Sequence, residues 1–248
     1  MLRGNRSIDE VFDGAPDVDA GKTGTLDLGH VSWLQLNYEL LVGDACRTDF
    51  FPPGLHPTEP VVVNLQVWDV DDSPAGPFQL AQVRLTCRAG VRIRALQTNS
   101  VIDGSDVARR MLSSGWAYRP VAGVIDFKRF NNRWSAEVAV DGRQVLKGHM
   151  NLPQPLNAAD LQHIANMNPG MIDGEPLLLQ VEPTVTTLGV LRGAPVLENF
   201  DSEFWNLGDA KPGFPVIGAG ADVTMALPPI RFMQDPVKSA IHGTRRVA

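Results

Sequence analysis

Residues 134–151 read WSAEVAVDGRQVLKGHMN, and this stretch indicates the fold class most directly. Apolar residues occupy every second position over 134–140, which is the period of a strand with one buried face. The pair Asp141-Gly142 then supplies the residues that a tight hairpin turn requires. Strand character resumes over 144–151, so the stretch predicts two antiparallel strands joined at this turn.

Similar runs, separated by turn residues, extend in both directions and predict an α+β chain that is mostly β, an antiparallel barrel or sandwich. Ser105 and Asn157 are predicted to cap two short helices, over 106–113 and 158–167. The Pro/Gly-punctuated segments 153–176 and 206–214 are predicted connections. The predicted strands span residues 32–41, 61–70, 78–88, 91–97, 123–130, 134–140, 144–151, 177–185, 187–192, 196–200 and 221–227.

Length and composition favour one soluble domain in a chain of 248 residues. Residues 1–29 lack sustained periodicity, so we expect a partly ordered amino-terminal arm ahead of a single domain over 30–248. No apolar run approaches the roughly 18 residues that a spanning helix needs. The first residues lack the apolar core of a secretory signal, and we therefore expect a cytoplasmic protein without a membrane partner.

Charge and motif content exclude several classes of function. The net charge is -6, and Lys and Arg are scattered instead of forming the basic face that nucleic acid binding needs. Cys46 and Cys87 have no metal-site spacing. The glycines at 218–220 lead into a predicted strand, which is the wrong context for dinucleotide binding. We expect no nucleic acid partner, no metal and no cofactor.

Six segments of the chain follow one another in a distinctive order. They are FPPGL at 51–55, EPVVV at 59–63, FQLAQV at 78–83, the predicted helix at 106–112, LRGAPVLENF at 191–200 and the closing strand at 218–228. Taken in order, these segments resemble the acetoacetate decarboxylase family. The resemblance covers residues 31–233 and depends on order and spacing more than on any one motif. It implies an antiparallel β-barrel or cone with a few short helices, an apolar central cavity and a homo-oligomer.

The resemblance also implies a change of chemistry. In that family a cavity lysine of lowered pKa forms an imine with a keto acid. Here the corresponding loop reads GWAYRP at 115–120, which places Tyr118 and Arg119 at the reactive centre. Gln79 stands where a glutamate is expected, and residues 31–33 lack the arginine expected in the first strand.

Tyr118 and Arg119 are therefore the first candidates for catalytic residues. A tyrosine hydroxyl can give a proton to an enolate, and an arginine can bind a carboxylate with two hydrogen bonds. Together they would hold a keto or enol acid without covalent attachment. The alternative is that Tyr118 packs its ring in the core and Arg119 pairs with an acid on an oligomer surface.

The chain has five lysines, and Lys147 is the one that merits consideration as an imine-forming residue. Val145, Lys147 and His149 alternate onto one face of a predicted strand. The alternative is an outward-facing charge on a half-exposed sheet. The other lysines are expected to be solvated charges or, for Lys128, to lie at a hairpin tip; they are Lys22, Lys128, Lys211 and Lys238.

Other candidates are polar or aromatic side chains of the predicted strands and of the same loop. His149 is a candidate acid or base because imidazole titrates near neutrality. Gln79 and Gln82 lie on opposite faces of an ideal strand, so one of them is expected to point inward. For each candidate the alternative is an outward polar face or a place in the core. The other candidates for substrate binding are Asn64, Gln66, Arg94, Trp116 and Met111.

The sequence leaves two classes of function open. The first is an acetoacetate-decarboxylase-like enzyme that acts on a small keto or enol acid, or a polyketide-like substrate, by noncovalent acid/base and electrostatic catalysis. Its reaction class would be a lyase, hydratase, isomerase or cyclase. The second is a protein of the same fold that binds such a small molecule without converting it. Tyr118 and Arg119 favour the enzyme, because both are productive groups.

Overall fold

The computed structural model describes residues 2–21, 23–161 and 163–247. Most of this chain is in strands, with three helices, α1 (Ile8–Phe12), α2 (Asp106–Trp116) and α3 (Ala240–Gly243). The strands are β1 (Leu26–Leu41), β2 (His56–Pro57), β3 (Val62–Val70), β4 (Phe78–Ala89), β5 (Arg92–Asp103), β6 (Pro120–Ala122), β7 (Val124–Phe130), β8 (Arg133–Val140), β9 (Arg143–Pro155), β10 (Asn166–Ile172), β11 (Glu175–Val181), β12 (Thr184–Phe200), β13 (Lys211–Leu227), β14 (Phe232–Gln234) and β15 (Thr244–Arg246).

The described strands form one sheet in the order β15-β14-β11-β10-β5-β4-β3-β1-β13-β12-β9-β8-β7, with β2 beside β4 and β6 beside β5. Pairing is antiparallel except where β5 meets β10 and β6. The prediction of a closed barrel is wrong, because no ladder within the described residues joins β15 to β7. Exposed charged residues occupy both edges, such as Lys128 on β7 and Arg245 on β15, and charged edges disfavour pairing.

The hairpin predicted from residues 134–151 is confirmed. β8 and β9 pair antiparallel, and Asp141 and Gly142 both have positive φ, 50° and 77°, as the twisted hairpin turn requires. A register shift between Val138 and Ala139 forms a bulge opposite Val145. Val145 therefore turns into the core, and the prediction that it shares a face with Lys147 and His149 is wrong.

The predicted helix over 158–167 is also wrong. Only a short 3-10 turn, Ala158–Asp160, follows the cap at Asn157, whose side chain accepts a hydrogen bond from the Ala159 amide at 3.0 Å. Asn166 and Met167 instead pair in parallel with β5. The free energy gained when Asn166 and Met167 pair with β5 exceeds the weak helix preference of this segment, which continues into Pro169 and Gly170.

Other boundaries differ in extent. The predicted strands at 187–192 and 196–200 are one strand, β12, and the predicted loop at 206–214 already enters β13 at Lys211. The amino-terminal arm contains α1, which buries Val11 and Phe12. Within the described residues, no helix is long and apolar enough to cross a membrane.

The central strands β1, β3 and β4 bury both faces. On one face, alternate residues such as Leu34, Leu65 and Val83 enter a large apolar cluster. The other face carries Trp33 and Trp68, which pack with the buried side of α2 in a second cluster. This second face matters for function, because its apolar surface is interrupted by a band of buried polar side chains.

Candidate active site around buried Arg84

The buried polar band follows from strand register. Gln66 on β3 lies opposite Gln35 on β1 and Gln82 on β4, so these amides cross the sheet in one row. One row further along, Asn64 lies opposite Asn37 and next to Arg84. Because side chains of a strand alternate between faces, both rows share the face that carries Trp33 and Trp68.

Arg84 is the charged centre of this band and is only 1% exposed. Its Nε donates to Asn64 Oδ1 at 3.0 Å, and one terminal nitrogen donates to the Ile164 carbonyl at 3.1 Å and to the Asn166 amide oxygen. All of these acceptors are neutral. Among the described residues, no carboxylate forms an ion pair with Arg84.

Burial lowers the pKa of Arg84 to about 10, so the guanidinium stays charged at neutral pH. A buried charge without a counter-charge is costly, even when neutral groups accept its hydrogen bonds. Arg84 therefore holds a positive charge in a desolvated environment that favours an anion.

The amide row leads from β1 to β10 through a chain of hydrogen bonds. Gln66 donates to Gln35 Oε1 at 2.7 Å, and Gln82 donates to Gln66 Oε1 at 3.2 Å. Asn166 Nδ2 donates to Gln82 Oε1 at 3.2 Å. Each amide fixes the orientation of the next, so the band is ordered before any ligand arrives.

Tyr118 reaches the same band from the end of α2. The helix ends at Trp116, the following Ala117 adopts the left-handed conformation, and the Tyr118 ring then lies in the core. Its hydroxyl accepts a hydrogen bond from Asn166 Nδ2 at 3.4 Å, and its ring packs edge-on against Trp68 at 6.1 Å. Burial raises the pKa of Tyr118 above its ordinary range, so the hydroxyl keeps its proton.

Buried side-chain nitrogens without hydrogen-bond partners lie beside this site. The indole nitrogens of Trp33 and Trp68 are buried and have no hydrogen-bond partner in the described structure. His163 packs edge-on against Trp33 at 5.6 Å, and neither of its ring nitrogens has a described partner. His163 also lines a cleft of about 570 Å³, together with Ile164 and Arg94.

The structure places Arg119 elsewhere. Its guanidinium donates to backbone carbonyls of Asp13 at 2.8 Å, Thr98 at 2.9 Å and Val11 at 3.2 Å. It thereby ties the amino-terminal arm to β5, and burial lowers its pKa to about 10. The fold does not bring the Arg119 guanidinium to the Tyr118 hydroxyl, because these backbone carbonyls hold Arg119 while Tyr118 contacts Asn166 in the polar band. Arg84 supplies the guanidinium near Tyr118.

His149 and Lys147 belong to an ionic cluster on the outward face of β8, β9 and β12. His149 Nδ1 lies 3.0 Å from Glu198 Oε1, and Lys147 Nζ lies 3.3 Å from Glu198 Oε2. Burial, followed by the Arg133 charge, lowers the pKa of His149. Lys147 is half-buried, and the described residues Lys128, Lys211 and Lys238 are exposed. Lys22 lies outside the described residues.

The remaining predicted residues divide between the site and its surroundings. Gln82, Gln66 and Asn64 are in the polar band, whereas Gln79 donates to Asp69 Oδ1 at 2.9 Å on the opposite face. Arg94 forms an ion pair with Glu182 at 2.8 Å beside the cleft.

Two apolar candidates help to form the core that supports Tyr118. Trp116 is buried there, and its indole nitrogen donates to the Pro228 carbonyl at 2.8 Å. Met111 is half-buried and packs against the same apolar cluster.

Sequence reasoning missed Arg84, Asn166 and His163. One feature of the sequence could have identified Arg84. It lies two residues from Gln82 on the same strand, so both side chains face the same side, and Gln82 was a candidate to point inward. Asn166 had no such feature, since it reaches the band only through parallel pairing with β5. His163 lies in a segment without a recognisable strand pattern.

Comparison with known proteins identifies the fold. No protein-family model and no curated protein sequence matches the chain. The structure is similar to acetoacetate decarboxylase from Legionella pneumophila, with a TM-score of 0.71, 14% identity and coverage of 84% of this chain and 86% of that chain. It is also similar to the enduracididine biosynthesis enzyme MppR complexed with pyruvate, with a TM-score of 0.68, 17% identity and 91% coverage of each chain.

A third similar structure is an acetoacetate decarboxylase-like enzyme from Sphingomonas wittichii RW1, with a TM-score of 0.64, 14% identity and coverage of 87% of this chain and 98% of that chain. Identities this low establish the fold alone. The chain has the acetoacetate decarboxylase-like fold, and the resemblance predicted from the sequence is confirmed at that level.

Proposed function

We propose that this protein is an acetoacetate-decarboxylase-like enzyme that acts on a small keto or enol acid, or a related polyketide-like substrate, without forming an imine. The observation that carries the proposal is Arg84, a buried guanidinium whose described hydrogen-bond acceptors are all neutral. The carboxylate of a keto acid would supply the missing negative charge, and it would accept a hydrogen bond from the one N–H group of Arg84 that the described contacts leave free.

The groups around Arg84 favour noncovalent catalysis. Reactions next to a carbonyl pass through an enol or enolate, whose oxygen carries negative charge. Tyr118 keeps its proton, and in this proposal it stabilises or protonates such a group. The nearby indole N–H groups of Trp33 and Trp68 are further donors without partners. Fixed donors in a site without bulk water are an effective arrangement for stabilising an oxyanion.

The substrate class is supported by one relative. MppR has been solved with pyruvate and with the condensation product of pyruvate and imidazole 4-carboxaldehyde. A small 2-keto acid is therefore the first class to test for this chain. The reaction would be that of a lyase, hydratase, isomerase or cyclase, because none of these requires covalent attachment of the substrate.

Arg119 and His149 are not assigned a catalytic role in this proposal. The Arg119 guanidinium donates hydrogen bonds to three backbone carbonyls, and His149 lies in the outward ionic cluster with Glu198. Tyr118 remains the proposed proton donor, with Gln82, Gln66 and Asn64 as groups that orient Arg84 and the substrate.

A second candidate is a protein that binds a keto acid without converting it. The observation that favours it is the fixed orientation of Arg84, whose guanidinium is held by amide and carbonyl oxygens and would present one pre-ordered positive charge to a bound anion. The two candidates differ in the role of Tyr118, which is needed for turnover by the enzyme and contributes only packing and one hydrogen bond to a binder.

The test compares two arginines. Pyruvate and acetoacetate binding would be measured by ligand-observed NMR for wild type, Arg84→Gln and Arg119→Gln. Loss of a charge-assisted hydrogen bond costs about 1.5 to 3 kcal/mol, so we expect Arg84→Gln to weaken binding roughly 10- to 100-fold. Arg119→Gln is the matched control, because it removes a partly buried arginine away from the band. Equal binding by wild type and Arg84→Gln would refute the proposal.

A further inference from the structure

His163 lies between the polar band and the cleft. Its ring packs edge-on against Trp33 at 5.6 Å, and the next residue, Ile164, accepts a hydrogen bond from Arg84 at 3.1 Å. The same two residues line the cleft of about 570 Å³. His163 and Ile164 therefore connect the wall of the cleft to the backbone carbonyl that holds Arg84.

Both ring nitrogens of His163 are buried and have no described hydrogen-bond partner. Each buried polar atom left unsatisfied costs about 1 to 3 kcal/mol, so a folded protein rarely keeps such a ring without use. Trp33 beside it also has an unsatisfied indole nitrogen. These unsatisfied nitrogens together point to a polar ligand atom beside the edges of the two rings.

The protonation state of the ring decides what it offers. Burial, followed by the positive charge of Arg84, lowers the pKa of His163 to about 3. The ring is then neutral at physiological pH, and it is too weak a base to take a proton from carbon. A neutral imidazole still has one N–H, and such a group can polarise a carbonyl without transferring a proton first.

We propose that His163 donates a hydrogen bond to the carbonyl oxygen of the bound keto acid and to the enolate oxygen that develops from it. This inference rests on the proposed function, since Arg84 is taken to hold the carboxylate of the same molecule. In this arrangement Arg84 fixes one end of the substrate, and His163 polarises its reactive carbonyl. The class of ligand is a 2-keto acid, whose carboxylate and carbonyl are adjacent.

The experiment uses [2-¹³C]pyruvate as the probe and records its carbonyl infrared stretch when bound. In wild type we expect the stretch to move to lower frequency than in free pyruvate, because a hydrogen bond weakens the C=O bond. His163→Phe keeps a ring against Trp33 but removes the donor, so its bound stretch should return toward the free value. Pyruvate affinity should fall by about 2- to 10-fold, as expected for one neutral hydrogen bond.

His163→Gln is the matched variant, because its amide restores an N–H donor of similar reach. We expect it to recover part of the frequency shift, which a purely structural role of the ring would not produce. Should His163→Phe fail to fold, ¹⁵N spectra of the histidine rings in wild type provide the second measurement. Pyruvate should then shift the His163 ring nitrogen signals, identified by their absence in His163→Gln.

The outcomes separate the two proposals. If wild type binds pyruvate and neither its bound carbonyl stretch nor its His163 ring signals change, the role of His163 is refuted while the proposed function stands. If wild type binds neither pyruvate nor acetoacetate, the proposed function fails and the role of His163 fails with it. A frequency shift that is equal in wild type and a folded His163→Phe assigns the polarisation to another donor, and it also refutes the inference.

Discussion

Replacement of His163 by glutamine should change how the stability of this protein depends on pH. The folded state holds the ring neutral, because burial and the Arg84 charge lower its pKa from 6.5 to about 3. The unfolded chain takes up a proton below its own pKa of about 6.5. Between those values the unfolded state binds more protons, so the free energy of unfolding falls as the pH falls.

The size of this effect follows from the two pKa values. Each pH unit below the unfolded pKa costs about 1.4 kcal/mol. At pH 5 the loss attributable to His163 is therefore about 2 kcal/mol, and it is close to zero at pH 7.5. His163→Gln has no group to protonate at this position and should lack this part of the loss.

The assay is urea unfolding of wild type and His163→Gln at pH 7.5 and pH 5. The difference in unfolding free energy between the two proteins should shift by about 2 kcal/mol in favour of the variant at pH 5. His242→Gln, at an exposed histidine of α3, controls for the general effect of removing an imidazole. If the difference between wild type and His163→Gln is the same at both pH values, His163 is not held neutral by burial.

Three further predictions concern catalysis, chemistry and assembly. Tyr118→Phe should lower the turnover of a keto acid that wild type converts by about 100-fold while leaving its binding nearly unchanged, and unchanged turnover would exclude Tyr118 as the proton donor. Borohydride treatment with pyruvate or acetoacetate should leave the intact mass without a reduced adduct, and an adduct on any lysine, Lys147 included, would contradict an imine-free mechanism. We also propose a homo-oligomer, because β12 buries only Val190 and leaves its Leu188 62% exposed, while Phe214 of the adjacent β13 is 66% exposed. Light scattering should give a multiple of 27.0 kDa, and a monomer would contradict this proposal.

Local sequence patterns predicted much of the secondary structure. Alternating apolar residues identified the β8–β9 hairpin, and Asp141-Gly142 identified its turn, because these signals depend only on neighbours in the chain. Ser105 correctly marked the start of α2, whose first turn it caps. The prediction failed at residues 158–167, where the Asn157 cap suggested a helix but pairing with a distant strand decided the outcome.

The candidate site was predicted in part. Gln82, Gln66 and Asn64 were named from strand parity, and Tyr118 was named from the family resemblance. Arg119 was grouped with Tyr118 because the family resemblance placed both at the reactive centre, yet backbone carbonyls of the arm hold its guanidinium away from the band. A residue's own neighbours do not show which distant segment will fold over it.

The sequence by itself determined that this protein is built mostly from strands, where its main hairpin turns, and which residues of a strand share a face. The tertiary structure alone decided that Asn166 contacts both Arg84 and Tyr118 and that His163 packs against Trp33. It also decided that no ladder of the described residues closes the sheet between β7 and β15. The physical reason is that a two-residue period fixes the face of each side chain but not the neighbour of each strand. Strand order and register depend on burial and hydrogen bonding summed over the whole sheet.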